Sequence, residues 1–382
     1  MSNLTGFSFQ LRLTLFFAIF VGFLESRNDS RGDSSPNWLH LARMKTIFVT
    51  GATGFIGTKL VNELIRQGHT IHALTRSTSN TDGLQHDRIM LVTGDLLDLN
   101  SLKSAMAGCS QVYHLAAYAK NWSRDSSIFF KYNVDGTKNV FEAAKSNRVE
   151  RVVLTSTIVT FGPTPPNVVG DEQMPRITPR YYTEYEESKA VAEEQALRYA
   201  ASGFPVVIVN PTRVYGPGKL TEGNSVSLMI DLYDQGKVPV LLNRGKNIGN
   251  YVLVDDLVRG HILAMERGQI GERYILGGEN VSLKRLFEIV NDVSGKRHFQ
   301  VNLPARFAML YAGFEKKKAE LLGWYPQITP GWVVTYLQDW AYSSAKAERE
   351  LGYTITPLQE GIRLTYEWLL EQRSNHKPKR SQ

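Results

Sequence analysis

The string TIFVTGATGFIG, Thr46 to Gly57, constrains this chain more than any other stretch. A short run of β-branched and aromatic residues leads into glycines at 51, 54 and 57, and an amphipathic pattern comes after them. Glycine permits a tight turn and close approach of backbone to a ligand. The start of a helix adds unpaired N–H groups and a favourable dipole. With a strand before it and a helix after it, such a turn can cradle a pyrophosphate. The string therefore predicts that Gly51, Thr53, Gly54, Phe55, Ile56 and Gly57 bind a dinucleotide. The competing reading is a glycine-rich turn without a ligand.

The pattern of the neighbouring residues supports a sheet around that turn. TIFVT, TIHALT, RIMLVTG, QVYHLAA, RVVLTST and PVVIVN are apolar runs of the kind buried on both faces of a parallel sheet. Helical patterns over Ile56–Gln67, Ile128–Lys145 and Glu184–Ala201 lie between them. The alternation predicts an α/β fold, a Rossmann-type doubly wound parallel sheet, over residues 44–210. Beyond Pro211 the regularity weakens, and residues 211–372 read as a smaller, mostly helical C-terminal substrate lobe, with 251–278 returning to the main sheet. Residues 373–382 form a basic tail. At the other end, the apolar run Leu13–Leu24 is short for a membrane span and precedes the polar ESRNDSRGDSSPN. Residues 1–43 are expected to lie outside the fold, as a disordered or mis-started extension. An export signal or membrane anchor is the alternative.

Charge and cysteine content narrow the partners. The formal charge of +7 comes partly from the chain ends, and no basic stripe interrupts the body, which argues against nucleic acid and against a membrane. Cys109 is the only cysteine, so no internal disulfide can form, which fits a cytoplasmic location. The eight histidines make no ligand-like cluster, and no metal is expected.

The G-x-x-G-x-x-G spacing, together with GDLLD (Gly94–Asp98), HLAA (His114–Ala117), NVDGTKNVFEAA (Asn133–Ala144), PTRVYGPG (Pro211–Gly218) and YVLVDDL (Tyr251–Leu257), resembles the extended branch of the short-chain dehydrogenase/reductases, the NAD-dependent epimerase/dehydratase family. The likeness runs from Met44 to about Gln372. It implies a nicotinamide dinucleotide, with Asp95 and Leu96 flanking the adenine, Ala116 and Ala117 packing along the cofactor, and Pro211 and Lys189 also in contact. An NAD-selecting carboxylate belongs about 20 residues beyond the glycines. No acid stands between Glu63 and Asp82, whereas Arg76 is placed to pair with a 2′-phosphate. NADP is therefore favoured over NAD, unless Arg76 is merely a solvated charge.

Hydride transfer to a carbonyl needs a proton donor. A phenol, with an ordinary pKa near ~10, serves when a neighbouring ammonium stabilises its anion. The chain has four Y-x-x-x-K spacings: Tyr185–Lys189, Tyr215–Lys219, Tyr233–Lys237 and Tyr342–Lys346. Glycines interrupt the second and end a helix in the third, and the fourth lies in the late lobe. Only Tyr185–Lys189 opens a long helix just before the sixth strand, where positions i and i+4 share a face. The resemblance adds a substrate-orienting hydroxyl at Thr157, usually Ser in the family, with Ser156 as the other candidate. It also gives Lys189 a bond to the nicotinamide ribose. Asn133 resembles a helix asparagine that steadies the site, and a purely structural role is equally open.

Departures from the nucleotide-sugar enzymes point to an apolar substrate. Phe161–Gly162 replaces their Tyr–Gly, Asn210–Pro211 their Arg–Pro, and GNYVLV lacks their arginine and histidine. WAYSSAKAERELGYTITPLQEGI resembles the dihydroflavonol reductase-like and farnesol dehydrogenase-like branch. The expected activity is NAD(P)-dependent oxidoreduction of a hydrophobic secondary or allylic alcohol or its carbonyl. A nucleotide-sugar epimerase or dehydratase with tightly held NAD is the alternative, and a cofactor-sensing binding protein a third reading. Phe307, Tyr311, Trp324 and Tyr325 either line the substrate pocket or belong to the core. The family resemblance allows a homodimer through helices starting near Ile128 and Glu184.

Overall fold

In the computed structural model, which describes residues 44–375, the six apolar runs become parallel strands. They are β1 (Thr46–Thr50), β2 (Thr70–Thr75), β3 (Ile89–Thr93), β4 (Gln111–His114), β5 (Arg151–Thr155) and β6 (Val206–Pro211). Crossing between them are α1 (Phe55–Arg66), α2 (Leu99–Ala105), α3 (Ser127–Phe130), α4 (Gly136–Ser146) and α5 (Glu184–Ala201). A single π turn, Lys131–Asp135, joins α3 to α4. The expected N-terminal extension, residues 1–43, and residues 376–382 of the basic tail lie outside the described residues.

Late residues form strands in two places, and of the range 251–278 only Arg273–Leu276 lies in the main sheet. Strands β7 (Arg213–Tyr215), β9 (Ile248–Leu253) and β11 (Glu279–Ser282) form a separate three-stranded sheet, while β10 (Arg273–Leu276) joins the main one beside β6. The main sheet has the order β10-β6-β5-β4-β1-β2-β3, with every pairing parallel. Strand order reverses between β1 and β4. A crevice at the carboxyl ends of those strands is where such sheets bind ligands.

Burial explains the apolar runs. Val152, Val153, Val206, Val207, Ile208 and Val209 are fully covered, because helices pack on both faces. The rest of the chain supplies α6 (Ser225–Asp234), β8 (Val240–Leu242), α7 (Val254–Arg267), α8 (Leu283–Ser294), β12 (Val301–Leu303), α9 (Ala305–Leu322), α10 (Pro330–Tyr336), α11 (Ala345–Leu351) and α12 (Leu358–Asn375). Strands β8 and β12 pair with each other as a short parallel ribbon.

Candidate active site

The glycine turn is as tight as its spacing suggests. Gly51 has φ +75°, and a Cβ there would stand 2.7 Å from the Ala116 nitrogen. A Cβ on Gly57 would come within 2.0 Å of the Gly51 carbonyl oxygen, so α1 can start against the turn only with glycine there. Gly54 differs: a Cβ on it would meet only the Gly51 carbonyl, at 3.2 Å. That open side faces a chamber of about 580 Å³, lined by Gly51, Thr53, Gly54, Arg76, Asp95, Leu96, Ala116 and Ala117. These are eight of the residues expected to hold the cofactor. A bare cradle at a helix start, with exposed Arg76 at the far end, fits a dinucleotide and its phosphates. Phe55 and Gly57 line no chamber. Phe55 is buried under the loop at Gly218, where an added Cβ would meet its ring at 2.7 Å.

A second chamber of about 300 Å³ shares Leu115, Ala117, Ala119, Lys120, Glu222 and Gly223 with the first. Ile56, Thr157, Tyr185, Lys189 and Pro211 line it. The structure thus brings together Thr157 from the end of β5 and Tyr185 and Lys189 from the first turns of α5. Helix α5 starts where it does because Thr183 caps it, accepting from the Glu186 N–H at 3.2 Å, and because Glu184, Glu186 and Glu187 meet the positive end of its dipole. Ala192 and Ala196 continue the Tyr185–Lys189 face into the core, both buried.

Tyr185 is half-buried as a side chain, with its hydroxyl deep in the chamber and hydrogen-bonded to Thr157. Burial pushes its pKa up to about 12; the Thr157 bond opposes this rise and the Glu186 charge adds to it. The expectation of a phenol made more acidic by Lys189 is therefore not met by the protein's own groups. Desolvation outweighs the pair, and the Lys189 ammonium donates to the Thr155 carbonyl at 2.8 Å. Lys189 is only 3% exposed, and burial lowers its pKa to about 8, held from falling further by the Glu193 carboxylate one turn on. Between the two candidate hydroxyls the structure discriminates clearly. Ser156 donates to Glu193, while Thr157 bonds Tyr185.

Three buried arrangements were not visible in the sequence. Glu193 accepts from Ser156, from Thr160 at 3.1 Å and Asn210 at 2.7 Å, and pairs with Arg273 at 3.2 Å. Its partners lie far apart in sequence, and the only local signal was a glutamate four residues after Lys189 on a buried face. His114 sits between Thr50 (2.7 Å) and Thr137 (3.1 Å), and the Ala116 N–H donates to the same Thr50 hydroxyl at 3.1 Å, pinning the loop after β4. His261 donates through Nδ1 to the Leu257 carbonyl and accepts at Nε2 from Thr155, which holds the end of β5 whose carbonyl accepts from Lys189. Burial first, then the Lys189 charge, lowers the His114 pKa to about 3; burial lowers His261 to about 4. Asn133, inside the π turn, bonds the Tyr118 backbone and the Ser188 hydroxyl, and so ties the loop after β4 to α5 without lining the chamber.

The other three Tyr–Lys spacings are structural. Tyr215 is core, Tyr233 stacks on Phe287 with ring centroids 4.1 Å apart, and Tyr342 donates to the Gly162 carbonyl at 2.5 Å.

A third, apolar chamber of about 400 Å³ adjoins the second at Arg213 and Tyr336, which line both. Its walls include Val238, Leu241, Leu242, Ile248, Phe287 and Ile328. Of the four late aromatics only Tyr311 lines it. None of the four is core, since Phe307, Tyr311, Trp324 and Tyr325 are all exposed. Among the described residues no cluster of His, Cys, Asp or Glu could hold a metal ion, and no helix is long and apolar enough to cross a membrane.

Known proteins agree with this geometry. The family model described as NAD dependent epimerase/dehydratase matches residues 47–277. A Synechocystis protein provisionally named dihydroflavonol 4-reductase is 32% identical over 336 residues, 87% of this chain and 96% of its own. The mouse sterol-4-alpha-carboxylate 3-dehydrogenase, decarboxylating, is 26% identical over 85% of this chain and 91% of its own. The crystal structure of gox2253 superposes with a TM-score of 0.73 at 32% identity, covering 87% of this chain and all of that one. With the glycine cradle at the switch point and Thr157, Tyr185 and Lys189 gathered beside it, these matches make the chain a member of the NAD-dependent epimerase/dehydratase family and an NAD(P)-dependent oxidoreductase acting on CH–OH groups.

Proposed function

We propose that the protein interconverts a hydrophobic secondary or allylic alcohol and its carbonyl form, with NADP preferred over NAD. The observation that carries the substrate class is the apolar chamber that adjoins, at Arg213 and Tyr336, the chamber lined by Tyr185 and Thr157. The apolar chamber's lining is mostly aliphatic, with Arg213 its one cationic side chain, at the mouth it shares with the second chamber, which favours an apolar substrate over a nucleotide sugar. The names of the two relatives, a dihydroflavonol reductase and a sterol dehydrogenase, denote apolar ring substrates in keeping with this reading. Arg76 at the end of β2, whose guanidinium has no partner among the described residues, supports the 2′-phosphate.

When bound, the nicotinamide supplies or accepts the hydride. Thr157 orients the substrate oxygen. Tyr185 gives that oxygen its phenolic proton in reduction and takes a proton from it in oxidation. Lys189, with a pKa of about 8, is mostly charged at neutral pH and offsets the phenolate that forms. A reducing cytoplasm suits the single buried thiol of Cys109, and a homodimer through the α3–α4 segment that begins near Ile128 and through α5 belongs to the same proposal. Tyr185→Phe is expected to abolish hydride transfer to a panel of apolar ketones while the variant still binds NADPH, read by its fluorescence. Undiminished turnover by that variant refutes the mechanism. Turnover only of nucleotide sugars, without net cofactor consumption, refutes the substrate class.

A further inference from the structure

Helix α9 is inverted relative to a helix that packs only on its own protein. Its inward stripe is small: Ala308, Ala312 and Ala319 are buried, the first two in a cluster with Val333. Its large apolar residues face outward: Phe307 is 50% exposed, Leu310 71%, Phe314 63% and Leu321 81%. Steps of three, four and seven residues put those four on one stripe of the helix. Trp324, just beyond the helix end, is 61% exposed as well. Surfaces of this kind mark contact with a partner or a membrane.

Charge decides between these occupants. The same helix carries Arg306, Lys316, Lys317 and Lys318. Lys318 is paired with Glu315 at 2.5 Å, and Lys316 reaches Glu320 only at 3.9 Å. Lys317 has no acidic partner among the described residues. Outward Phe, Leu and Trp flanked by lysine and arginine is the pattern of a helix that lies in the boundary of an anionic lipid layer. A self-complementary contact with a second copy would instead bring like charges together. The sequence argued against a membrane on charge alone, but the apolar stripe supplies affinity that charge does not.

We propose that α9 docks this protein on anionic lipid surfaces. Ala308 and Tyr311 of the same helix wall the apolar chamber, so docking brings that chamber against the layer in which an apolar substrate is dissolved. The proposal goes beyond the catalytic reading, and its test does not depend on turnover.

The full chain is floated with vesicles of phosphatidylcholine, alone or mixed with phosphatidylserine. Wild type is expected to rise with the mixed vesicles. Leu310→Glu/Phe314→Glu, which changes no chamber residue, is expected to bind on the order of 100-fold less or weaker. Lys316→Glu/Lys317→Glu is expected to lose at least about 25-fold, from roughly fivefold per cation, on mixed vesicles only. Unchanged melting and unchanged NADPH oxidation with a water-soluble ketone show that the variants are folded. If the double variant does not fold, Leu321→Glu alone replaces it, with a smaller expected loss. The proposal is overturned if wild type fails to float, if flotation survives the α9 changes, or if those changes merely convert a dimer into monomers.

Discussion

Replacing Lys189 by methionine is expected to make the protein more stable while destroying its activity. The ammonium is 3% exposed, and burial lowers its pKa from the ordinary 10.5 to about 8, which corresponds to about 3 kcal/mol against the charged folded state. Methionine removes that cost and keeps an apolar chain of similar length. It also loses the bond to the Thr155 carbonyl, worth about 1 kcal/mol. The net gain is about 2 kcal/mol at pH 7. Its pH dependence carries the sharper test. Below pH 8 the lysine is charged in both folded and unfolded chains, and the wild type bears the whole cost. Between pH 8 and 10.5 the folded chain has lost the proton that the unfolded chain still holds, so wild-type stability rises with pH relative to the variant. Above 10.5 the difference in charge cost is gone. Urea unfolding of both proteins at pH 7, 9 and 10.5 measures the gap. A variant less stable than wild type at pH 7, or a gap that does not change with pH, refutes the argument.

The remaining expectations concern cofactor choice and acid stability. Arg76→Ala should raise KM for NADP on the order of 10- to 100-fold and leave KM for NAD nearly unchanged, because only the former offers a 2′-phosphate to the guanidinium; equal effects on both would show that Arg76 is a solvated charge. His114 and His261, lowered by burial to about 3 and 4, stay neutral in the folded chain while the unfolded chain takes up protons below about pH 6.5. Stability should therefore fall as pH drops from 6.5 towards 4, by about 4 kcal/mol from this pair between pH 7 and 5. His261→Gln should remove about half of that slope, and an unaltered slope would assign the acid sensitivity elsewhere.

The main sheet was legible because its strands are covered on both faces, so that VVIV and VVLT could be little else between helical patterns. Helix α5 was legible to the residue, since Thr183 and the glutamates after it are themselves the capping chemistry. Tyr185 and the glycine turn stand out in the sequence because each is set by neighbours close in the chain, whereas Thr157 was named only by the family resemblance. What escaped depends on distant partners. Glu193 gathers groups from positions 156, 160, 210 and 273, and nothing local to any of them announces the others. The late aromatics show a different limit. An apolar residue that faces solvent and one that faces the core are written alike, and only the alanines behind Phe307 and Phe314 reveal which way α9 is turned. The phenol's acidity shows a third limit: the spacing shows that a lysine is near, but not how much water the fold removes from both groups.

The seat of β10 beside β6 has a consequence for how the chain is made. Arg273–Leu276 pairs with Ile208–Pro211 across more than sixty intervening residues, and Glu193 receives Arg273 from the same strand. During synthesis the first six strands emerge with β6 as an open edge, its N–H and C=O groups free to pair with any passing strand. They stay so until the chain has been made as far as Leu276. The main sheet thus takes its last strand from beyond Pro211, and an exchange of the residues after Pro211 between relatives would have to carry this one strand along, or leave the sheet without its last member.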